Sequence, residues 1–338
     1  MKILITGGCG FLGSNLALYG MNSGYEITIV DNFYRLGSKK NFDWLKSKGK
    51  FNLYETDISN YEEIKKVFHT VMPDFVFHLA GQTAMTTSLN SPLKDFEINT
   101  IGSINILESI KSIDNDCKAI YASSNKVYGD LEYVKTDESN TRYVTPEFKN
   151  GFPESMKIDF STPYGCSKGA ADLYFLDYCK SYKMKLSVFR HSTMYGGRQF
   201  ATVDQGWIGW FCQKAIEIKR GTLREPFSIS GNGKQVRDVL HSDDIVKLYF
   251  TASENMEEIK GEVFNIGGGR KNSLSLLELF EILESELGIK MEYRQFAWRN
   301  SDQKVFIADN TKIISNLKWT PLVDTRTGII DMLKWLES

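Results

Sequence analysis

Through the first half of the chain, short apolar runs alternate with longer stretches of mixed polarity. Residues 2–6, Lys-Ile-Leu-Ile-Thr, predict a strand, and a Gly-rich turn leads from it into an apolar helix over 12–22. Residues 26–30 predict a second strand that ends at Asp31, and runs at 52–55, 75–79, 119–122 and 186–189 read as further buried strands. Stretches 61–70, 96–112 and 164–182 have the length and polarity of helices lying between them. Strands that are apolar throughout, separated by helix-length crossovers, predict a parallel sheet covered on both faces.

From about residue 191 the alternation breaks. Gly-rich segments at 196–197 and 231–233 are interleaved with helices over 207–219, 243–254 and 275–287. The expected division is a doubly wound α/β domain over 1–190, with a return segment near 236–245, and a smaller α/β substrate domain over 191–338. No linker, repeat or low-complexity tract separates them.

Composition narrows the function class. The 338 residues suffice for one large or two modest domains, and 42% hydrophobic with 25% charged residues is ordinary for a soluble globular protein. A net charge of -1 gives no sign of nucleic-acid or anionic-membrane binding, and no apolar run is long enough to span a bilayer. The N-terminal glycines come too early for a signal peptide, so a cytoplasmic protein is expected. Cys9, Cys117, Cys166, Cys179 and Cys212 form no Cys-x-x-Cys pair, which fits reduced thiols and no metal site. The four histidines show no ligand spacing either, and His78, after an apolar run, is expected to be a satisfied core residue.

Candidate chemistry begins at the first turn. Gly7, Gly10 and Gly13 form a G-x-x-G-x-x-G pattern between the first strand and first helix. Such glycines permit a tight turn and let backbone N–H groups approach a pyrophosphate at a helix N-terminus. Asp31 follows Gly13 by 18 residues, at the end of the second strand. Its carboxylate suits the ribose hydroxyls of NAD and would repel the 2′-phosphate of NADP. Arg35, Lys39 and Lys40 are expected on a solvated surface. Asp57 either hydrogen-bonds the adenine amino group or caps the helix that starts near Tyr61.

Ser161-Thr-Pro-Tyr-Gly-Cys-Ser-Lys168 places Tyr164 and Lys168 four residues apart, one helical turn, with Ser161 or Thr162 as cap and Pro163 in the first turn. A neighbouring ammonium lowers a phenol's pKa, so the pair is expected to provide a base for an alcohol proton.

Taken in order, the Gly pattern, Asp31, His78-Leu-Ala-Gly81, Asn99, Ser124 with Tyr128-Gly129, and Tyr164/Lys168 resemble the extended short-chain dehydrogenase/reductase family. The resemblance spans nearly the whole chain and implies a Rossmann-type NAD-binding domain. It implies cofactor contacts from Phe11, Leu12, Asn32, Ile58, Leu79, Ala80, Gly81 and Asn99 in addition to Gly7, Gly10, Gly13, Asp31 and Asp57. It implies Ser124 as the hydroxyl at the reacting sugar oxygen, Tyr164 as proton carrier, and Lys168 on the nicotinamide ribose. Members mostly act on nucleotide-linked sugars. The 230–241 segment with Arg237, and Arg299 followed by Asp302, resemble the family's diphosphate-binding segments, a role suited to the planar guanidinium.

One departure separates the possible reactions. The family's 4,6-dehydratases carry an Asp-Glu pair just after the active-site Thr, where this chain has Asn125-Lys126. An amide and an ammonium cannot replace that acid/base pair, which leaves oxidation or epimerisation. Segments 164–172, 194–219 and 231–241 resemble a branch that epimerises a CDP-linked hexose at C2, and that resemblance extends substrate contacts to Arg198 and Gln199. Trp207 and Trp210 line the pocket or pack in the core. A C4 epimerase and a non-catalytic dinucleotide-binding regulator are the rival readings. The family also implies a homodimer or higher homo-oligomer, with helices near 96–112 and 164–182 as the contact face.

Overall fold

A computed structural model describes residues 1–299 and 301–338. Its centre is a seven-stranded sheet, parallel in every pairing. Across the sheet lie Asn52–Glu55, Glu26–Asp31, Lys2–Thr6, Phe75–His78, Lys118–Ser124, Leu186–His191 and Val263–Ile266. In chain order this is 3-2-1-4-5-6-7, the doubly wound order of a Rossmann fold, as the alternation predicts.

The pleat explains the uninterrupted apolar runs. Ile3, Ile5, Phe75 and Phe77 point into one core with Leu12, Leu16 and Phe250. Leu4 and Val76 point into the other with Phe68, Ile106 and Phe175. Lys2–Thr6 and Phe75–His78 therefore bury both faces, whereas Asn52–Glu55, expected as a buried strand, lies at the sheet edge with no buried residue. Helices Phe11–Asn22 and Ser242–Glu254 pack together over the first face. Tyr61–Val71, Gly102–Ser112 and Pro163–Ser181 pack over the second.

The return to this sheet is longer than the expected 236–245. Val263–Ile266 pairs with Leu186–His191 and forms its edge, and Ile313, Leu317 and Trp319 join the same core. These apolar positions lie beyond the break in the βα alternation, so the local pattern gives no cue to them. The remaining chain forms a four-stranded sheet in which Val236–His241 pairs with Thr193–Tyr195, Ser273–Ser275 and Val305–Phe306. Helices Trp207–Lys219, Leu276–Leu287 and Thr325–Glu337 build their own core beside it. Segment 127–152 also crosses over: Val127, Tyr128, Tyr143 and Phe152 pack on Val305 and Phe306.

The expected helix over 96–112 is composite. Helix Pro92–Phe96 runs into a wide π-turn, Glu97–Ile101, and then into Gly102–Ser112. Such bulges re-aim a side chain without ending the helix, and this one carries Asn99. Among the described residues no helix is long and apolar enough to cross a membrane. None of their His, Cys, Asp and Glu side chains cluster as metal ligands.

Candidate active site

The crevice opens where strand order reverses, between Lys2–Thr6 and Phe75–His78. Gly7 has φ +67°, and a Cβ there would lie 3.0 Å from the Ala80 backbone. A Cβ on Gly13 would lie 2.2 Å from the Gly7 carbonyl. Only glycines let the turn, the helix and the 79–81 strand end meet this closely. Thr6 sets the depth of this contact: its Oγ1 accepts from the Leu79 and Ala80 N–H groups, each at 3.2 Å. His78 is fully buried between Thr6 Oγ1 and Ser103 Oγ, a satisfied core histidine as expected.

Helix Phe11–Asn22 starts at Gly10 with no side-chain cap. Its first N–H groups, including those of Phe11 and Leu12, therefore lack a capping partner, and the helix dipole adds partial positive charge. Asp31 is buried at the adjacent strand end and accepts from Cys9 N at 2.9 Å and Phe33 N at 2.8 Å. Burial raises its pKa while these bonds oppose the rise. Each oxygen keeps a second lone pair for a ribose hydroxyl. Asn32 donates to Asp57 at 2.6 Å, and Asp57 also accepts from the N–H and hydroxyl of Ser59. The cap of helix Tyr61–Val71 is Asn60, so the capping alternative for Asp57 is corrected to a turn at 57–59. Ile58 is buried behind it against Gly102. Uncapped N–H groups, a close-approach glycine turn and a preset carboxylate fit a dinucleotide.

At the other end of the crevice, the π-turn aims Asn99 at residue 82. Asn99 Oδ1 accepts from Gln82 N at 2.8 Å, and Nδ2 donates to Gln82 O at 3.1 Å and Ser167 Oγ at 3.0 Å. A Cβ on Gly81 would lie 2.8 Å from Asn99 Oδ1 and 3.7 Å from Lys168 Nζ. Ser167 also bonds the buried Asp95. Asn99 thus joins the cofactor loop to the Tyr164 helix.

Helix Pro163–Ser181 is capped by Thr162, whose Oγ1 accepts from Gly165 N at 3.1 Å. Tyr164 and Lys168 share a buried face. Lys168 Nζ donates to Ala122 O at 2.6 Å and sits 4.3 Å from the centre of the Tyr121 ring. Burial pushes Lys168 down to about 7, against the pull of Asp172 and Asp95. Burial pushes the Tyr164 phenol up to about 12, opposed by a hydrogen bond with Ser124 and by the charge of Arg35. The expected lowering of the phenol by Lys168 is corrected: burial dominates, and Nζ donates to a strand carbonyl. Arg35 is corrected as well; it is half-buried, and its charge acts on Tyr164.

Ser124 ends its strand and accepts from Lys126 N at 3.2 Å. Beneath it lies a buried ion pair that sequence reasoning missed. Arg190 Nε donates to Asp172 at 2.7 Å, Ser123 Oγ donates to the same carboxylate at 3.0 Å, and Arg190 also donates to Tyr128 Oη at 2.9 Å. Asp172 lies four residues after Lys168, one further turn along the same face, and this spacing was the available cue.

The expected substrate residues divide. Arg237 donates to Asp302 at 2.6 Å, and Lys126 reaches toward the same group, with Nζ 3.5 Å from Ser301 O. Arg299 is held by Ser230 Oγ at 3.3 Å and lines a cavity of about 690 Å³ with Asp130, Trp298, Ser301 and Asp302. Asn125 Nδ2 donates to Gln303 at 3.1 Å and Gln303 to Gly129 O at 2.7 Å, tying the loop after Ser124 to the 301–303 segment. Arg198 is directed elsewhere. It adopts φ +70°, donates to Asn41 at 2.9 Å and stacks 4.6 Å from the Trp44 ring. Gln199 donates to Met194 O at 3.0 Å. Neither shares a hydrogen bond with Ser124, Tyr164 or Arg237. Trp207 donates to Thr193 at 3.3 Å, and both it and Trp210 border the helical core.

Residues 4–332 match the family model described as GDP-mannose 4,6 dehydratase. The chain is 53% identical over 338 residues to the CDP-paratose 2-epimerase of Salmonella typhi, covering all of both chains. It is 30% identical to a putative UDP-glucose 4-epimerase of Methanocaldococcus jannaschii, over 99% of this chain and 98% of that one. Among solved structures, UDP-glucuronic acid 4-epimerase from Bacillus cereus, in complex with UDP-glucuronic acid and NAD, superimposes with TM-score 0.83 at 26% identity. That match covers 100% of this chain and 99% of the other. The glycine turn, the Asp31 carboxylate, the Ser124–Tyr164–Lys168 set and these matches agree, and the chain belongs to the GDP-mannose 4,6 dehydratase family within the extended short-chain dehydrogenases/reductases.

Proposed function

We propose that the chain is an NAD-dependent nucleotide-sugar epimerase that interconverts CDP-paratose and CDP-tyvelose by inversion at C2. The observation that carries this reading is the 53% identity, unbroken over both full chains, to a CDP-paratose 2-epimerase. Asn125 and Lys126 support it by leaving no carboxylate pair for dehydration.

NAD, when bound, supplies the acceptor that takes a hydride from the sugar carbon and later gives it back. Residues 7–13, Asp31, Asn32 and Asp57 hold its adenosine and diphosphate end, and Lys168 its nicotinamide ribose. Tyr164 takes the proton of the sugar 2-hydroxyl and returns it. Ser124 hydrogen-bonds the same oxygen; its Oγ accepts from the Lys126 N–H at 3.2 Å and its hydroxyl reaches Asn125 Oδ1 only at 3.5 Å. Burial opposes the phenolate, so Lys168 must turn its charge from Ala122 O toward the phenol as the site fills. The resulting 2-keto sugar presents its other face, while Arg237 and Arg299 keep the diphosphate in place. Binding energy from the non-reacting nucleotide thus holds the substrate while the hexose turns.

The protein acts as a homo-oligomer. Phe96, at the start of the 96–112 stretch, with Leu93 just before it, and Leu173 and Tyr174 within 164–182 are exposed apolar side chains on or beside the two helices that the family implies for the contact.

Incubation with CDP-paratose in heavy water, without added oxidant, tests the reaction. Product inverted at C2 and retaining its original C2 hydrogen is expected. Inversion at C4 would favour the 4-epimerase reading, absence of product the regulator, and stoichiometric deuterium at C2 would replace hydride transfer with deprotonation.

A further inference from the structure

Lys126 stands where the dehydratases carry an acid, and nothing in the proton chemistry above uses its side chain. Its surroundings are unusual for an ammonium. Three donors are available, yet one acceptor is within reach, Ser301 O at 3.5 Å. Among the described residues no carboxylate forms an ion pair with it. Asp302, next in the chain to the Ser301 that Nζ reaches, is taken by Arg237 at 2.6 Å. Two cations thus converge on one carboxylate, at the segment that also carries Arg299. Burial and the Arg237 charge push Lys126 down to about 8, with Asp302 and Asp130 opposing. A half-buried ammonium with a single long hydrogen bond is under-satisfied. A ligand that brings negative charge and several acceptor oxygens supplies what is missing.

We propose that Lys126 binds the diphosphate of the nucleotide sugar alongside Arg237, with Asp302 as the counter-ion that the diphosphate replaces. The proposal rests on the nucleotide-sugar reading and deepens it. It also links anchoring to chemistry. The Lys126 N–H holds Ser124 Oγ at 3.2 Å, so a phosphate drawn onto Nζ fixes the residue that positions the serine. An enzyme whose hexose must turn while its nucleotide stays still has particular use for a further anchor at the phosphate, beside the turning sugar.

The test uses the NAD-loaded protein and calorimetric titration with CDP and with cytidine. Lys126→Met keeps the stem and removes the charge. CDP affinity should fall about tenfold or more, the loss of one charge-assisted hydrogen bond. Cytidine affinity, bound NAD and melting temperature should stay unchanged, and Lys126→Arg should restore most of the CDP affinity. A second readout is pH. The charged groups acting on Nζ are Arg237, Asp302 and Asp130, and burial with the Arg237 charge brings the Lys126 amine down to about 8, inside the range from about pH 7 to 9.5. Wild-type CDP affinity should weaken over that range more steeply than that of Lys126→Met. Unchanged CDP affinity in Lys126→Met would overturn the proposal, and so would a loss confined to CDP-hexose, which would move Lys126 to the sugar. A wild-type protein that binds neither CDP nor UDP would overturn the nucleotide-sugar reading itself, and the proposal with it.

Discussion

Tyr164 and Lys168 sit on one buried helical face, and burial moves them in opposite directions, the phenol up to about 12 and the amine down to about 7. Tyr164→Phe removes one hydroxyl from a buried ring, so turnover should vanish while fold and NAD content persist, measured by product NMR and by cofactor released on denaturation. Lys168→Ala should lose both turnover and cofactor. The amine also makes a stability prediction. Its folded pKa lies below the unfolded value, so between about pH 7 and 10 the unfolded chain binds the extra proton and stability rises with pH. In cofactor-stripped protein, the advantage of Lys168→Met over wild type should therefore shrink by about 2–3 kcal/mol from pH 7 to 9, at about 1.4 kcal/mol per unit. Denaturant titrations at the two pH values measure it, and a constant difference would contradict the buried-ammonium account. The spacing of this pair is legible in sequence. The direction of the phenol's shift is not, because it depends on how much water the folded site excludes.

At the scale of elements, the strand-turn-helix at 2–22 and the capped helix from 163 can be read directly, since glycine spacing, a Thr-Pro start and apolar runs are local signals. The composite helix at 92–112 is not legible, because its π-turn is selected by what Asn99 reaches: Gln82 and Ser167, which are distant in sequence. Asn99→Leu would leave the buried Gln82 N–H and carbonyl without these partners, at about 1–3 kcal/mol for each unsatisfied group. The expected result is a lower denaturation midpoint with loss of bound NAD. Gly13→Ala should be more severe for the cofactor, because its Cβ meets the Gly7 carbonyl at 2.2 Å. Protein purified with normal NAD content would refute the close-approach argument. The Asp172–Arg190 pair joins helix Pro163–Ser181 to the Leu186–His191 strand, and Asp172→Ala should cost about 3–5 kcal/mol by stranding a buried guanidinium.

At the scale of the whole molecule, the proposed homo-oligomer puts the exposed apolar side chains of Pro92–Phe96 and Pro163–Ser181 at its contact. Phe96→Glu with Leu173→Glu should shift the sedimentation coefficient to that of a monomer, and an unchanged oligomer would locate the contact elsewhere. The doubly wound sheet, the dinucleotide turn with its Asp31, and the Tyr164–Lys168 spacing were determined by sequence alone. Each is written in residues close together along the chain, where periodicity and turn chemistry act. Tertiary structure alone decided that Val263–Ile266 completes the sheet, that Arg198 turns to Asn41 and Trp44, that the Arg35 charge acts on Tyr164, and that Lys126 comes under the charges of Arg237 and Asp302. Those pairings join residues tens to nearly two hundred positions apart. They arise when layers close and buried charges are forced to find partners, a choice that local pattern does not encode.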